Sequence, residues 1–432
     1  MKVLIVNTWD TYGGAARAAF RLHEALSQSG VDSTMLVDEK KSDADTVITL
    51  QNRNLKERIL NGLNEVFRKL NICKFIYKLS LAKYKKTMAK GLSWFAPQIV
   101  SNKKLVNAIN EINPDVVHLH WICNGFLSIE DIAKIKKPIV WSLHDMWAFT
   151  GGCHLVAECA KSIMCQKYIE NCGNCPFLGS KKTKDLSFDI LQRKKKSFAK
   201  VKNMTIVGLS KWMQSCARSS SVFSNRPVVN LPNPINTNLF KLLDKQNSRK
   251  LFNLAMDKKL VLFGAMFATS TPYKGFIELT GALNKISSQN VEFVVVGSNK
   301  PKNPPKLPCK THYLGHLSDD VSLTSLYNAC DVMIVPSKRE NLSNVIMESL
   351  SCGLPVVAFN IGGNSDMVIH EINGYLAQPF DTSDLASGID WVLNAKNYAE
   401  LCKNAREKAV REFDYEVVAK KYVDLYEEIL KA

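Results

Sequence analysis

The feature that most restricts this chain is an alternation of short apolar runs with amphipathic helices, carried through twice. KVLIVNT opens at Lys2 as a buried strand, followed by Gly13-Gly14 and an amphipathic helix to about Gly30. STMLVD and DTVITL are the next strands. Beyond a basic segment, a helix near 102–113 leads into DVVHLHW, PIVWSLHD and MTIVGLS, the last ending at Ser210. The second half repeats the scheme with KLVLFGAM, VEFVVVGS, DVMIVPS and PVVAFNI, and THYLGHL is an additional strand. Its helices are expected near 274–288, 321–329 and 344–351, and from Tyr398 to Leu430 the chain is charged and helical. Short apolar strands alternating with helices specify parallel sheets covered on both faces. At 432 residues there is room for two such domains. LPNPINTNLF, with Pro232 and Pro234, interrupts the pattern and is the expected linker.

Two open parallel sheets in series face each other across a cleft, and their ligands sit beyond the carboxyl ends of the strands. Polar residues gather there: His118 and His120, His144-Asp145, Gly297-Ser298, the run 337–340, and Gly362-Gly363. The most informative stretch is VPSKRENLSNVIMESLSCGLPVVAFNIGG, from Val335 to Gly363. It leaves a strand, turns through polar residues, opens a helix near Asn344 and returns to a strand through Gly353 and Pro355. Loop amides and a helix N-terminus suit a phosphate or a sugar hydroxyl. Glu340 in the loop suits hydroxyls or a developing oxocarbenium ion, and Glu348 on the helix is placed to accept two ribose hydroxyls. Taken alone, two glutamates at this spacing describe an ordinary solvated helix as well.

They do not stand alone. From Lys274 to Leu376 the sequence resembles the family 4 retaining glycosyltransferases of GT-B fold. Lys274-Gly275, Gly297, the two glutamates, Cys352-Gly353-Leu354-Pro355, Gly362-Gly363 and Asn373-Gly374 follow the family's order and approximate spacing. The resemblance implies an α/β protein of two facing Rossmann-like domains. These are an acceptor domain over 1–235 and a nucleotide-sugar-binding domain over 236–414, with a helix over 415–432 crossing back to the first. It implies that Glu340 meets the donor sugar and Glu348 the ribose. The backbone of Asn341, Leu342 and Ser343 would hold sugar and diphosphate, and Gly297, Ser298 and the segment around Leu317 would lie near the base. Lys274 would neutralise the departing diphosphate without a catalytic metal. The family usually places an arginine shortly before this lysine. GAMFATSTPYKG has none, so either another basic residue assists or the diphosphate is held more weakly.

In the first half, Gly13 and Gly14 follow a strand and open a helix, where a backbone can approach an anion closely. A tight strand-to-helix turn would need the same glycines; the resemblance assigns them to closing over the donor. It likewise puts His144 against the reacting sugar, although a histidine at a strand end is by itself more often a packing residue. His118 and His120, alternating on the preceding strand, are expected on opposite faces, one lining the cleft and the other buried.

Five cysteines fall between Cys153 and Cys175, within an expected insert over 150–180, and Cys172-Gly-Asn-Cys175 is a CxxC knuckle of the kind that holds zinc. A disulfide or reduced thiols are the alternatives. A subset of bacterial family 4 proteins resembles this segment, with HDMW, GGC and a later CGxCP. That pattern implies a structural zinc on Cys153, Cys165, Cys172 and Cys175, with Cys159 as the alternative ligand.

The formal charge of +17 asks for an anionic partner. Between Arg53 and Lys104 thirteen Lys and Arg stand against two acids, so most of the excess is concentrated there. Interleaved Ile59, Leu63, Phe67, Leu70, Phe75, Leu79 and Trp94 give the segment the character of a membrane-surface element; solvated surface helices are the plain alternative. Without an export signal or a spanning segment, the expected place is the cytoplasm, peripheral at the inner membrane face. The reading is transfer of a hexose from a UDP- or GDP-sugar to a lipid-linked bacterial surface glycan. A GT-B sugar phosphorylase or nucleotide-sugar epimerase is the alternative, separable by a product assay without acceptor. Nucleic-acid binding would leave the Glu340 region unexplained.

Overall fold

The computed structural model describes residues 1–50, 75–88, 95–155, 158–159 and 163–431, with backbone alone for 158, 159, 163 and 164. Much of the basic segment, 53–74 and 89–94, lies outside the described residues, as does the Cys159 side chain. The chain divides into two compact units. One is Met1–Leu231 with Ala419–Ala432, and the other is Pro232–Val418.

The first unit is built on seven parallel strands: β1 Lys2–Trp9, β2 Asp32–Glu39, β3 Val47–Thr49, β4 Val116–Leu119, β5 Ile139–Leu143, β8 Met204–Gly208 and β9 Val228–Asn230. A short antiparallel hairpin, β6 Glu158–Cys159 and β7 Ile163–Met164, lies in the cysteine-rich insert. The sheet order is β3-β2-β1-β4-β5-β8-β9. Val3, Leu4, Ile5 and Val6 are all fully buried, as a strand covered on both faces requires. The helix Lys103–Ile112 starts where Asn102 accepts from the Leu105 N–H and ends at Asn113 in the left-handed region. At the far end of the chain, the helix Tyr415–Lys431 brings Tyr422 and Tyr426 into this unit's core. Tyr426 OH lies 2.6 Å from His118 Nδ1, and Tyr422 OH 3.3 Å from Ser142 Oγ. The expected return of the C-terminal helix is thus realised.

The second unit has six parallel strands: β10 Lys259–Gly264, β11 Val291–Val296, β12 Thr311–Tyr313, β13 Val332–Val335, β14 Val356–Phe359 and β15 Gly374–Ala377. Their order is β12-β11-β10-β13-β14-β15. The helix expected over 274–288 is broken. A 3-10 turn, Pro272–Lys274, is followed by Gly275 in the left-handed region and then by the helix Phe276–Leu283. β9, β15 and the β6–β7 hairpin were not anticipated; runs of two to four residues carry little periodic signal of their own.

Strand order reverses between β1 and β4 in one sheet and between β10 and β13 in the other. Crevices beyond the carboxyl ends of those pairs are where such sheets bind ligands.

Candidate functional site

At the second unit's switch point, the segments after β10 and β13 lie against each other. The Lys338 N–H donates to Tyr273 O at 2.8 Å. Two glycines permit the contact. A Cβ on Gly275, at φ 77°, would stand 1.8 Å from Pro336 O, and one on Gly362, at φ 52°, would stand 1.8 Å from Glu340 O. The 336–340 loop is therefore clamped between backbones at positions that tolerate no side chain.

The clamp brings Lys274 Nζ within 2.8 Å of Glu340 Oε2, both groups largely buried. Burial alone would lower the lysine's pKa, but the Glu340 carboxylate outweighs it and holds the ammonium above its ordinary range. A second cation of the loop, Lys338, pairs with Glu278 at 3.1 Å. Asn341, Leu342 and Ser343 are buried beyond it. Ser343 starts the helix Asn344–Ser351 without a side-chain capping bond, so the helix's positive end is turned to the loop. On that helix Glu348 is buried, and its Oε2 accepts from Tyr327 OH at 2.7 Å. Gly297 and Ser298 directly follow β11, and Ser298 Oγ lies 2.9 Å from Thr269 Oγ1. Ser298 also bridges to Gly315, which places half-buried Leu317 nearby in the chain.

At the first unit's switch point, Trp9 and Trp121 stack with ring centroids 5.0 Å apart. Gly13, at φ 90°, has nothing within 4 Å of where a Cβ would stand, and the helix Gly14–Gln28 begins there without a side-chain cap. At the end of β5, His144 Nε2 lies 2.8 Å from His120 Nδ1. His118 and His120 are not on opposite faces. Both are buried, with rings 4.3 Å apart, because residues two apart on a strand share a face. His118 is spent on packing bonds, its Nε2 2.8 Å from Ser142 Oγ.

Burial pushes His144 down to about 4 against the pull of Asp145, and pushes His118 down to about 3. His120 is held well below its ordinary value for the same reason. The rings are thus neutral at pH 7. His120 Nε2 is buried with no hydrogen-bond partner among the described residues. An unpaired ring nitrogen costs less as a bare acceptor than as an N–H. His120 therefore carries its proton on Nδ1 and donates to His144 Nε2, which makes His144 the Nδ1–H tautomer.

Asp145 is the residue whose part the sequence did not reveal. Its Oδ2 accepts from Trp121 Nε1 at 2.9 Å and lies 2.7 Å from His154 Nδ1, while Oδ1 accepts from the Trp147 N–H at 2.8 Å. Burial opposes the charge, but these partners hold the carboxyl below its usual range. Trp9, Trp121, His154, Tyr273, Tyr327 and Lys338 also went unassigned. Only His144-Asp145 stood out, as a polar pair closing an apolar run. Among the described residues no group of three or more His, Cys, Asp or Glu stands ready to hold a metal ion.

Residues 244–411 match the family of glycosyl transferases group 1. One relative is the N,N'-diacetylbacillosaminyl-diphospho-undecaprenol alpha-1,3-N-acetylgalactosaminyltransferase of Campylobacter jejuni. It is 28% identical over 201 residues, which is 44% of this chain and 51% of that protein. The chain spans about half the length of the first curated relatives it matches. Among solved structures, sucrose-phosphate synthase of Thermosynechococcus elongatus aligns with a TM-score of 0.67 at 19% identity, covering 100% of both chains. Anabaena HepE in complex with UDP and glucose aligns at 0.63 and 15% identity, covering 99% of both. Two α/β units built on all-parallel sheets, one bearing the Lys274–Glu340 pair, are the GT-B fold. The match of residues 244–411 to the group 1 glycosyl transferases, with these GT-B neighbours, agrees with the family 4 resemblance of the sequence.

Proposed function

We propose that the protein is a retaining hexosyltransferase, moving a hexose from a UDP- or GDP-sugar to a hydroxyl of a growing, lipid-linked bacterial surface glycan. The observation that carries the reading is the Lys274–Glu340 pair, clamped by glycines at the second unit's switch point. A donor diphosphate would compete with Glu340 for the Lys274 ammonium, because its charge is larger and more concentrated. Lys274 and the loop amides from Asn341 to Ser343 then stabilise the nucleoside diphosphate as it departs. Glu340, freed from its counter-ion, turns to the sugar and shields positive charge at the anomeric carbon. Glu348, oriented by Tyr327, takes the ribose hydroxyls; Gly297, Ser298 and Leu317 border the base. In the first unit, Gly13 and Gly14 approach the donor phosphates, and neutral His144 offers a hydrogen bond to the sugar without competing for the diphosphate. No catalytic metal enters.

The C. jejuni relative's name specifies a diphospho-undecaprenol acceptor, which supports a lipid-linked one here. So does the described part of the basic segment. Phe75, Tyr77 and Leu79 are exposed beside exposed Lys78, Lys83, Lys85 and Lys86, the composition of a surface that rests on anionic lipid. No helix among the described residues is long and apolar enough to cross a membrane.

The test is a thermal-shift panel of nucleotides and nucleotide sugars, followed by product analysis with lipid-linked acceptors. One donor class should raise the unfolding temperature, and Glu340→Ala should remove transfer while leaving the fold intact. Wild-type turnover in that variant would defeat the assignment.

A further inference from the structure

Four cysteines of the first unit's insert meet at one place. Cys153, Cys165, Cys172 and Cys175 line a single cavity of about 20 Å³, enough for one water-sized guest. The Cys153 and Cys175 thiols are hydrogen-bonded to each other.

The backbone is shaped around the sulfurs. The N–H groups of Phe177 and Leu178, two and three residues beyond Cys175, both donate to its Sγ, and the Gly151 N–H donates to Cys172 Sγ. A neutral thiol is a weak acceptor. Two amides aimed at one sulfur suit a thiolate or a metal-bound sulfur far better. The turn needs left-handed backbone at Gly173, Asn174 and Gly179, and a Cβ on Gly173 would stand 2.0 Å from Thr183 O. Asp185 fastens it by accepting from the Cys175 N–H at 2.9 Å.

A separate observation concerns charge. Lys194 is fully buried; its ammonium lies 3.8 Å from the centre of the Trp147 ring and donates to the carbonyls of Trp147 and Thr150. A buried cation is costly unless negative charge lies near. Besides Asp145, the groups acting on it are the sulfurs of Cys123, Cys172 and Cys153. Burial pushes the Lys194 ammonium down to about 7, and four thiolates around a divalent ion would place further negative charge beside it.

We propose that Cys153, Cys165, Cys172 and Cys175 bind one zinc ion whose role is structural. Four thiolates leave no open coordination position. The side chains are not gathered at ligating positions, so binding rotates them inward about the shared cavity and releases the thiol protons to solvent. The ion then fixes a segment tied directly to the first unit's switch point. The residue after Cys153 is His154, which bonds Asp145 and whose carbonyl accepts from the Met146 N–H at 2.9 Å.

The test uses the full chain, purified anaerobically under reducing conditions without a metal-affinity tag. Elemental analysis should find about one zinc per chain, retained through gel filtration. Cys172→Ser and Cys175→Ser should each lose most of it, while Cys309→Ser in the second unit should keep it. If the knuckle variants do not fold, cobalt(II) uptake by the wild type decides, since thiolate-to-cobalt charge-transfer bands scale with the number of sulfur ligands. A spectrum of four thiolates supports the site. Failure of the wild type to hold zinc or take up cobalt would overturn it. So would a Cys153–Cys175 disulfide found by mass spectrometry in the anaerobic protein. None of these readouts depends on glycosyl transfer.

Discussion

The two units share a sheet plan but place different chemistry at their switch points. In the second, two glycines clamp a loop so that Lys274 and Glu340 stand as a largely buried ion pair. In the first, burial has removed charge from the histidines, leaving neutral His120 and His144 joined through one hydrogen bond. The contrast fits the division of labour proposed above. A charged site suits a diphosphate, whereas a neutral imidazole suits a sugar hydroxyl, where a second cation would only compete for the phosphate.

The sharpest way to break this division is to compare Lys274→Ala with His144→Ala. The first should cut transfer by about 10²–10³-fold and abolish the thermal shift given by the nucleotide alone. The second should lower transfer yet preserve that shift. Equal loss of nucleotide binding in both would refute the contrast. Next in size is the clamp itself. Gly362→Ala forces a Cβ against Glu340 O and should destabilise the second unit by on the order of 3 kcal/mol, seen as faster hydrogen exchange there and not in the first sheet. Unchanged exchange would mean that the loop is held otherwise.

Acid should separate the units in the opposite sense. Burial pushes His23 and His144 down to about 4 and His118 to about 3, from an ordinary 6.5. Below pH 6.5 the unfolded chain therefore binds protons that the folded first unit refuses. Its stability, full above that pH, is lost as pH falls toward 4. Exchange measured between pH 7.5 and 4.5 should show the first unit opening first, and the reverse order would contradict the neutral assignment. The smallest effect is expected of His120→Phe, which removes the partner of His144 Nε2. Transfer should fall about tenfold, the loss of one hydrogen bond, with nucleotide affinity unchanged; an effect on nucleotide affinity would mean that His120 serves the fold at large.

Much of this was legible because it is local. Apolar runs of strand length announced the sheets, and the helix Asn344–Ser351 falls where its pattern placed it. The candidates Lys274, Glu340 and Glu348 were legible through the order of motifs, not through any property of the residues alone. What escaped depends on partners far along the chain. His118 and His120 were assigned to opposite faces by a miscounted strand period, yet even the right count would not have shown that Tyr426, 308 residues on, takes up His118. Asp145 looked like the tail of a strand, and its carboxylate acquires a role only when Trp121 and His154 fold over it.

Sequence alone, then, determined the two parallel sheets and where along the chain the candidate ligand loop falls, because hydrophobic period and turn chemistry act between near neighbours. Only the tertiary structure decided which groups carry charge. That depends on how much water is excluded and which distant atoms close over each side chain, as with the neutral His144, the paired Lys274 and Lys194, which burial pushes down to about 7.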